Sequence, residues 1–291
     1  MTFQLAVVQP ETVHGRGAET SNMSIAWDAA RTAARQGAHL VVFPESFPGS
    51  WRQPITRTPE PELLEMSNEL GIYIVAGFAE PTDADGERCY NTLLLAGPDG
   101  HEVGRYRRTT PQQAPWIYSG GDYWDFEWIR GRELPVFETD LGTIGLLMCS
   151  EVYGPELFRI LALQGAETIV VPGGITSPSS SLFETWRTLI WARAIENLCH
   201  VATCSNAIDG EALAMVCSPE QILVEAHSPG VFEATIDRER VAFLRSETDR
   251  RIGRSAPWAT KPGVLRDWRV PEVLEPHAVL LAGGGGPAGV G

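Results

Sequence analysis

Apolar residues along the chain fall into short runs of two kinds, and their alternation predicts a layered fold of strands and helices. Residues 3–8 form a short apolar run of strand length at the very start. Across 20–35 the positions Met23, Ile25, Ala26, Ala29, Ala30 and Ala33 recur at roughly helical spacing, with Thr20 or Ser21 placed to cap the helix and Gly37 to end it. Residues 40–43 then read as a buried strand, 61–70 as a helix and 72–78 as a strand. Residues 89–95 read as a strand running into the turn Pro98-Asp99-Gly100. The pattern resumes downstream with strands at 134–137 and 144–148 around the turn at Asp140 to Gly142. A helix follows at 155–164, closed by Gly165, then a strand at 168–171 and a helix at 183–197. Runs at 200–205, 213–217, 221–226 and 230–236 supply a second set of strands, and 241–245 begins a terminal helix. Strands interleaved with helices imply α/β layers.

Two stretches depart from this regularity. Residues 109–132 are rich in Pro, Gln and Trp and carry Gly120-Gly121. A connection of that length in a compact domain usually carries function. Its Trp116, Tyr118 and Trp124 are candidates to line an aromatic pocket, with core packing as the alternative. From about Ala282 the chain is mostly Gly and Ala, with too little side chain to bury. The expected organisation is one domain over residues 1–270 and a flexible C-terminal extension over 271–291.

Composition narrows the partners. A net charge of −14 argues against nucleic acid or an anionic membrane surface. No apolar run approaches bilayer length, and the N-terminus lacks the basic region and cleavage site of a signal peptide. Five scattered cysteines suit a reducing cytoplasm better than a disulfide framework, and Cys199 and Cys204 lack the spacing of a zinc site. Of the 23 Lys and Arg residues, 22 are arginine; the one lysine is Lys261.

Two residues carry the chemical suggestion. Cys149 ends the apolar run Gly145-Leu-Leu-Met-Cys, and Glu45 follows the run Leu40 to Phe43 through Pro44. Open α/β sheets collect their sites at such strand ends. An ordinary thiol, with a pKa of about 8.5, needs a base or a nearby cation to act as a nucleophile. No histidine lies at either strand end, which disfavours a Cys–His pair, and Glu45 is a candidate to take the proton. A buried structural cysteine and a turn-capping carboxylate are the alternatives.

Several ordered segments together resemble the nitrilase superfamily of carbon–nitrogen hydrolases, over about residues 3–245. They are Leu5-Ala-Val-Val-Gln9, Val42-Phe-Pro-Glu45, Asn91-Thr-Leu93, Gly104-Arg-Tyr-Arg-Arg108, Leu134-Pro-Val-Phe137, Met148-Cys-Ser-Glu151, Pro155-Glu-Leu-Phe-Arg159 and Arg193-Ala-Ile-Glu-Asn197. The resemblance implies a four-layer αββα sandwich with its site between the sheets, and pairing of protomers, as a homodimer or larger homo-oligomer, through helices beside that site. It implies Glu45 as general base and Cys149 as nucleophile. The lysine of the family's Glu-Lys-Cys set is Arg108 here. Arginine keeps the charge and offers a planar fork of donors, but it cannot release a proton. The family's second glutamate has no counterpart in the stretch after Arg108, and Glu127 is the candidate, with a solvated loop position as the alternative. The Ser150 N–H is a candidate oxyanion donor. Glu151 matches the acidic position two residues after the nucleophile, and bonding to local backbone is as open as substrate contact.

The expected reaction is hydrolysis of a small amide through a Cys149 thioester, with no cofactor or metal. A nitrile substrate, transfer of the acyl group to an amine, and a silent binding protein of the same fold are the alternatives.

Overall fold

The computed structural model describes residues 1–13, 18–49, 57–82, 84–86, 88–110, 127–174, 176, 178–207 and 209–245, together with the single positions 275 and 278. The chain divides into two compact units, Met1–Val241 and Ala242–Gly291, and the sheets and the site belong to the first. The boundary expected near residue 270, the Gly/Ala tail and most of the 109–132 segment lie outside the described residues.

Two sheets face one another. The first contains β1 (Thr2–Gln9), β2 (Leu40–Val42), β3 (Tyr73–Pro81), β4 (Arg88–Ala96), β5 (Glu102–Arg107), β6 (Glu127–Ile129) and β13 (Gly230–Asp237). Its order is β13-β1-β2-β3-β4-β5, with β6 also on β4. The second contains β7 (Val136–Thr139), β8 (Gly142–Leu146), β9 (Thr168–Val170), β10 (His200–Thr203), β11 (Ala214–Cys217) and β12 (Ile222–Ala226), ordered β12-β11-β10-β9-β8-β7. The central pairs β1–β2, β2–β3, β8–β9 and β9–β10 are parallel, so their C-terminal ends lie on one edge of each sheet.

Strand periodicity divides the side chains between two cores. Phe3, Leu5 and Val7 of β1, with Leu40 and Val42 of β2 and Val75 of β3, point between the sheets and share a core with Ile144, Leu146, Val170 and Ala202. Ala6, Val8, Val41, Ile74 and Ala76 point the other way. There they pack on Ala26, Ala30 and Ala33 of α1 (Ala18–Gln36) and on Leu63 and Met66 of α2 (Glu60–Leu70). On the far side of the second sheet lie α3 (Pro155–Leu163) and α4 (Phe183–Asn197), which bury Phe158, Leu161, Ile190 and Ala194. The result is the expected αββα sandwich.

The boundaries of the predicted elements shift by a few residues, and β5 and β6 were not expected as strands. Glu-Val-Gly-Arg-Tyr-Arg of β5 buries only Tyr106, so it lacks the apolar alternation that marks a strand. It is held instead by antiparallel pairing to β4, Thr92 opposite Arg107 and Leu93 opposite Tyr106. The three residues of β6 are too few for a pattern and depend on their parallel pairing with β4 at Arg88 to Tyr90.

Candidate active site

Glu45 is set by a sharp turn at the end of β2. Its N–H donates to the Gly173 carbonyl (3.2 Å), which ties it across to the end of β9. Ser46 then takes φ of +56°, in the left-handed region that side chains other than glycine adopt only at a cost of about 1 kcal/mol. The turn is pressed onto β3 at Gly77, where an added Cβ would come within 2.5 Å of the Ser46 nitrogen. The buried Phe47, its ring 5.6 Å from that of Phe43, anchors the exit.

Cys149 begins a 3-10 turn, Cys149–Tyr153, directly after β8. Its N–H donates to the Pro172 carbonyl (2.9 Å), and its φ is +53°. A second non-glycine residue in the left-handed region thus sits at the proposed nucleophile; such outliers concentrate at functional positions because surrounding contacts must hold them. Arg108 leaves the end of β5 with its N–H on the Asn91 carbonyl (2.9 Å) and its own carbonyl accepting from Gly131 (2.8 Å).

The three side chains meet. Arg108 Nη1 donates to Glu45 Oε1 (2.8 Å), and both residues are about 3% exposed. Arg108 Nη2 donates to Ser150 Oγ (2.5 Å). Asn91 Nδ2 donates to the same Glu45 oxygen (2.7 Å). The Glu45 carboxylate and the Gly174 N–H both hydrogen-bond the Cys149 sulfur. Burial pushes the Cys149 thiol up to about 12, and the negative charge of Glu45 adds to the rise, while the Arg108 guanidinium opposes it. At neutral pH the half-buried thiol therefore rests with its proton, next to a carboxylate able to take it.

Glu151 has its carboxylate occupied by protein donors: the Tyr106 hydroxyl, Thr109, Thr110 and the Met148 N–H. Glu127 opens β6 opposite Arg88, and its side chain lies outside what is described. Trp116 and the other candidate loop aromatics, Tyr118 and Trp124, also lie outside the described residues. Another aromatic pair stands by the turn that Cys149 begins: Tyr153 packs edge-on against Trp186, ring centroids 5.9 Å apart. Trp186 in turn reaches the chain at Gly173.

Sequence reasoning assigned no role to Asn91 or Asn206. Asn91 interrupts the apolar strand β4 and is buried, a polar residue placed where only a hydrogen-bonded one is tolerated. That interruption was the available signal. Asn206 donates to the carbonyls of Glu45 (3.2 Å) and Gly174 (2.8 Å), joining the Glu45 turn to the segment beside the thiol. Its Oδ1 accepts from Thr12 (2.6 Å). Nothing local in Ser205-Asn206-Ala207 announces that role.

Among the described residues there is no group of three or more His, Cys, Asp or Glu able to hold a metal, and no helix long and apolar enough to cross a membrane.

Two facing sheets between paired helices, with a thiol, a carboxylate and a cation meeting at strand ends, define a protein of the nitrilase superfamily. The chain belongs to the carbon–nitrogen hydrolase family, whose pattern it matches over residues 4–246. It is 30% identical over 248 residues to a deaminated glutathione amidase from Synechocystis, covering 78% of this chain and 90% of that protein. An omega-amidase from Danio rerio is 29% identical over 262 residues, covering 84% and 92%. Among solved structures, a carbon–nitrogen hydrolase from Helicobacter pylori superposes with a TM-score of 0.71 at 20% identity, covering 97% of this chain and 99% of the other. A mutant amidase from Nesterenkonia carrying the acetamide moiety of fluoroacetamide on its active-site cysteine superposes with a TM-score of 0.68 at 22% identity, covering 88% and 96%. These two likenesses concern the fold.

Proposed function

We propose that this carbon–nitrogen hydrolase is an amidase acting on a small amide, with Cys149 as nucleophile, Glu45 as proton carrier and Arg108 as the fixed positive charge. The observation that carries it is the buried Arg108–Glu45 ion pair directly beside the Cys149 sulfur. Because the thiol rests protonated, deprotonation accompanies attack: Glu45 takes the proton as the sulfur bonds to the carbonyl carbon. The negative oxygen so formed is stabilised by the Arg108 guanidinium and the Ser150 N–H. The oxyanion collapses, the C–N bond breaks, and the amine leaves with the proton held by Glu45. Water, giving a proton to Glu45, then attacks the thioester and releases the acid, and the proton returns to the thiol. Arg108 stays charged throughout, so every proton passes through Glu45. The amidase relatives support an amide substrate.

The test is turnover of small amides together with mass spectrometry of the enzyme under rapid acid quench. An acyl adduct on the Cys149 peptide is expected, with no adduct and no turnover in Cys149→Ala. Turnover surviving in that variant refutes the assignment. Addition of an amine acceptor separates hydrolysis from acyl transfer: free acid as the main product supports the reading, and a new amide replaces it.

Two further parts of the reading concern the whole protein. All five cysteines are free, which supports a reducing, cytoplasmic setting. Tyr153, Ile160, Leu182 and Ile195 expose apolar side chains on or beside the nucleophile turn, α3 and α4, which supports a homodimer formed through this face. Arg159 Nη2 bonds the Glu196 carbonyl (2.6 Å), so α3 and α4 are joined beside both Ile160 and Ile195.

A further inference from the structure

Glu151 is a buried carboxylate that spends its lone pairs on neutral donors drawn from two separate segments. Its Oε1 accepts from the Thr109 N–H (2.9 Å), the Thr109 hydroxyl (2.6 Å), the Thr110 N–H (3.2 Å) and the Thr110 hydroxyl (3.3 Å). Its Oε2 accepts from the Met148 N–H (2.9 Å). The Tyr106 hydroxyl lies 2.8 Å and 2.7 Å from the two oxygens. Burial and the Glu151 charge both push the Tyr106 phenol up, so it stays a donor.

The sequence positions of these donors are what matter. Tyr106, Thr109 and Thr110 bracket Arg108 on both sides, and Met148 is the residue that enters Cys149. A buried anion held by neutral donors alone, as Glu151 is among the described residues, is expensive, and an apolar side chain would fill the same volume at lower cost. What an apolar side chain cannot do is fix two backbones at hydrogen-bond precision. The guanidinium itself repeats the join through Ser150, which lies between Cys149 and Glu151.

We infer that Glu151 is a positioning residue: it clamps the chain on either side of Arg108 to the backbone entering Cys149, and so sets the guanidinium against the sulfur. The inference rests on the roles proposed above for Cys149 and Arg108. Among the described residues the titratable groups that act on the Cys149 thiol are Glu45, from the end of β2, and Arg108, from the end of β5. The end of β9 contributes only the Gly174 backbone N–H.

The experiment follows the alkylation rate of Cys149 by iodoacetamide at about pH 8, read by peptide mass spectrometry, beside kcat, KM and Tm. It compares the wild type with Glu151→Gln, Tyr106→Phe, Arg108→Gln and the double variants. Glu151→Gln keeps the shape but turns amide hydrogens toward donors. It should slow alkylation by about tenfold and lower kcat by about tenfold to a hundredfold with little change in KM. Tyr106→Phe should do the same more weakly. In the Arg108→Gln background neither change should add anything, because the charge being positioned is gone. Effects that multiply fully on Arg108→Gln overturn the inference. So does a fall in Tm with the alkylation rate and kcat per folded molecule unmoved. If Glu151→Gln does not fold, Tyr106→Phe and its double variant decide the question by the same two comparisons. If no amide is consumed by any form, the proposed reaction fails, and the alkylation rates still decide whether Glu151 acts through Arg108.

Discussion

The arginine at position 108 is accommodated by its surroundings. A guanidinium can reach two acceptors at once, and here it holds Glu45 with one nitrogen and Ser150 with the other. The small hydroxyl side chain of Ser150 supplies the second acceptor. The buried thiols also bear on stability. Burial pushes Cys149 and Cys217 up to about 12, and Cys204 higher still. In the unfolded chain such thiols ionise near pH 8.5, so above that pH the native state binds more protons than the unfolded one. Their stabilising contribution is complete below about pH 8.5 and is lost as pH rises toward 12. Tm should fall steadily between pH 8.5 and 10.5, and the fall should be shallower in Cys204→Ala. Equal slopes in calorimetric scans of the two proteins would rule this account out.

Strand ends and close approaches align the proposed catalytic groups at the scale of elements. Gly77 in β3 and Gly131 after β6 each stand where a side chain would strike the backbone carrying a site residue. At Gly131 a Cβ would lie 2.0 Å from the Arg107 carbonyl oxygen. Gly77→Ala should therefore push the Glu45 turn away from β3 and cut kcat by on the order of a hundredfold, the scale of a misplacement near 1 Å. The loss per folded molecule should far exceed what the Tm change explains, and kcat within twofold of wild type would show that the turn yields without harm. The glycines were visible in the sequence, yet what they face was not. Their neighbours, Ser46 and Arg107, are distant along the chain.

The whole molecule brings the site together from residues spread over more than a hundred positions. Glu45 follows a strand of the first sheet, Cys149 follows a strand of the second, and Arg108 follows β5 at the edge of the first. The face formed by the Cys149–Tyr153 turn, α3 and α4 lies on the outer side of the second sheet. If that face pairs two copies, Ile160→Glu with Ile195→Glu should leave the fold intact and halve the mass seen by sedimentation. An unchanged mass would place the contact elsewhere or remove it.

Hydrophobic spacing is a local property, so the sequence by itself determined the order of the helices and of every strand but β5 and β6. It also marked the two strand ends where an apolar run breaks into Pro-Glu or Cys-Ser-Glu. The αββα layering followed from the resemblance those segments carry as a set. Other features depended on partners far away in the chain. The polar strand β5 exists because β4 supplies its hydrogen bonds, Asn91 and Asn206 matter because Glu45 lies across from them, and Glu151 is satisfied by donors from another sheet. Hydrogen bonds act over about 3 Å in space and are indifferent to separation in sequence. The resemblance pointed to Glu45 for the sulfur, but only the tertiary structure could decide that Glu151 would meet Tyr106, Thr109 and Thr110 on either side of Arg108.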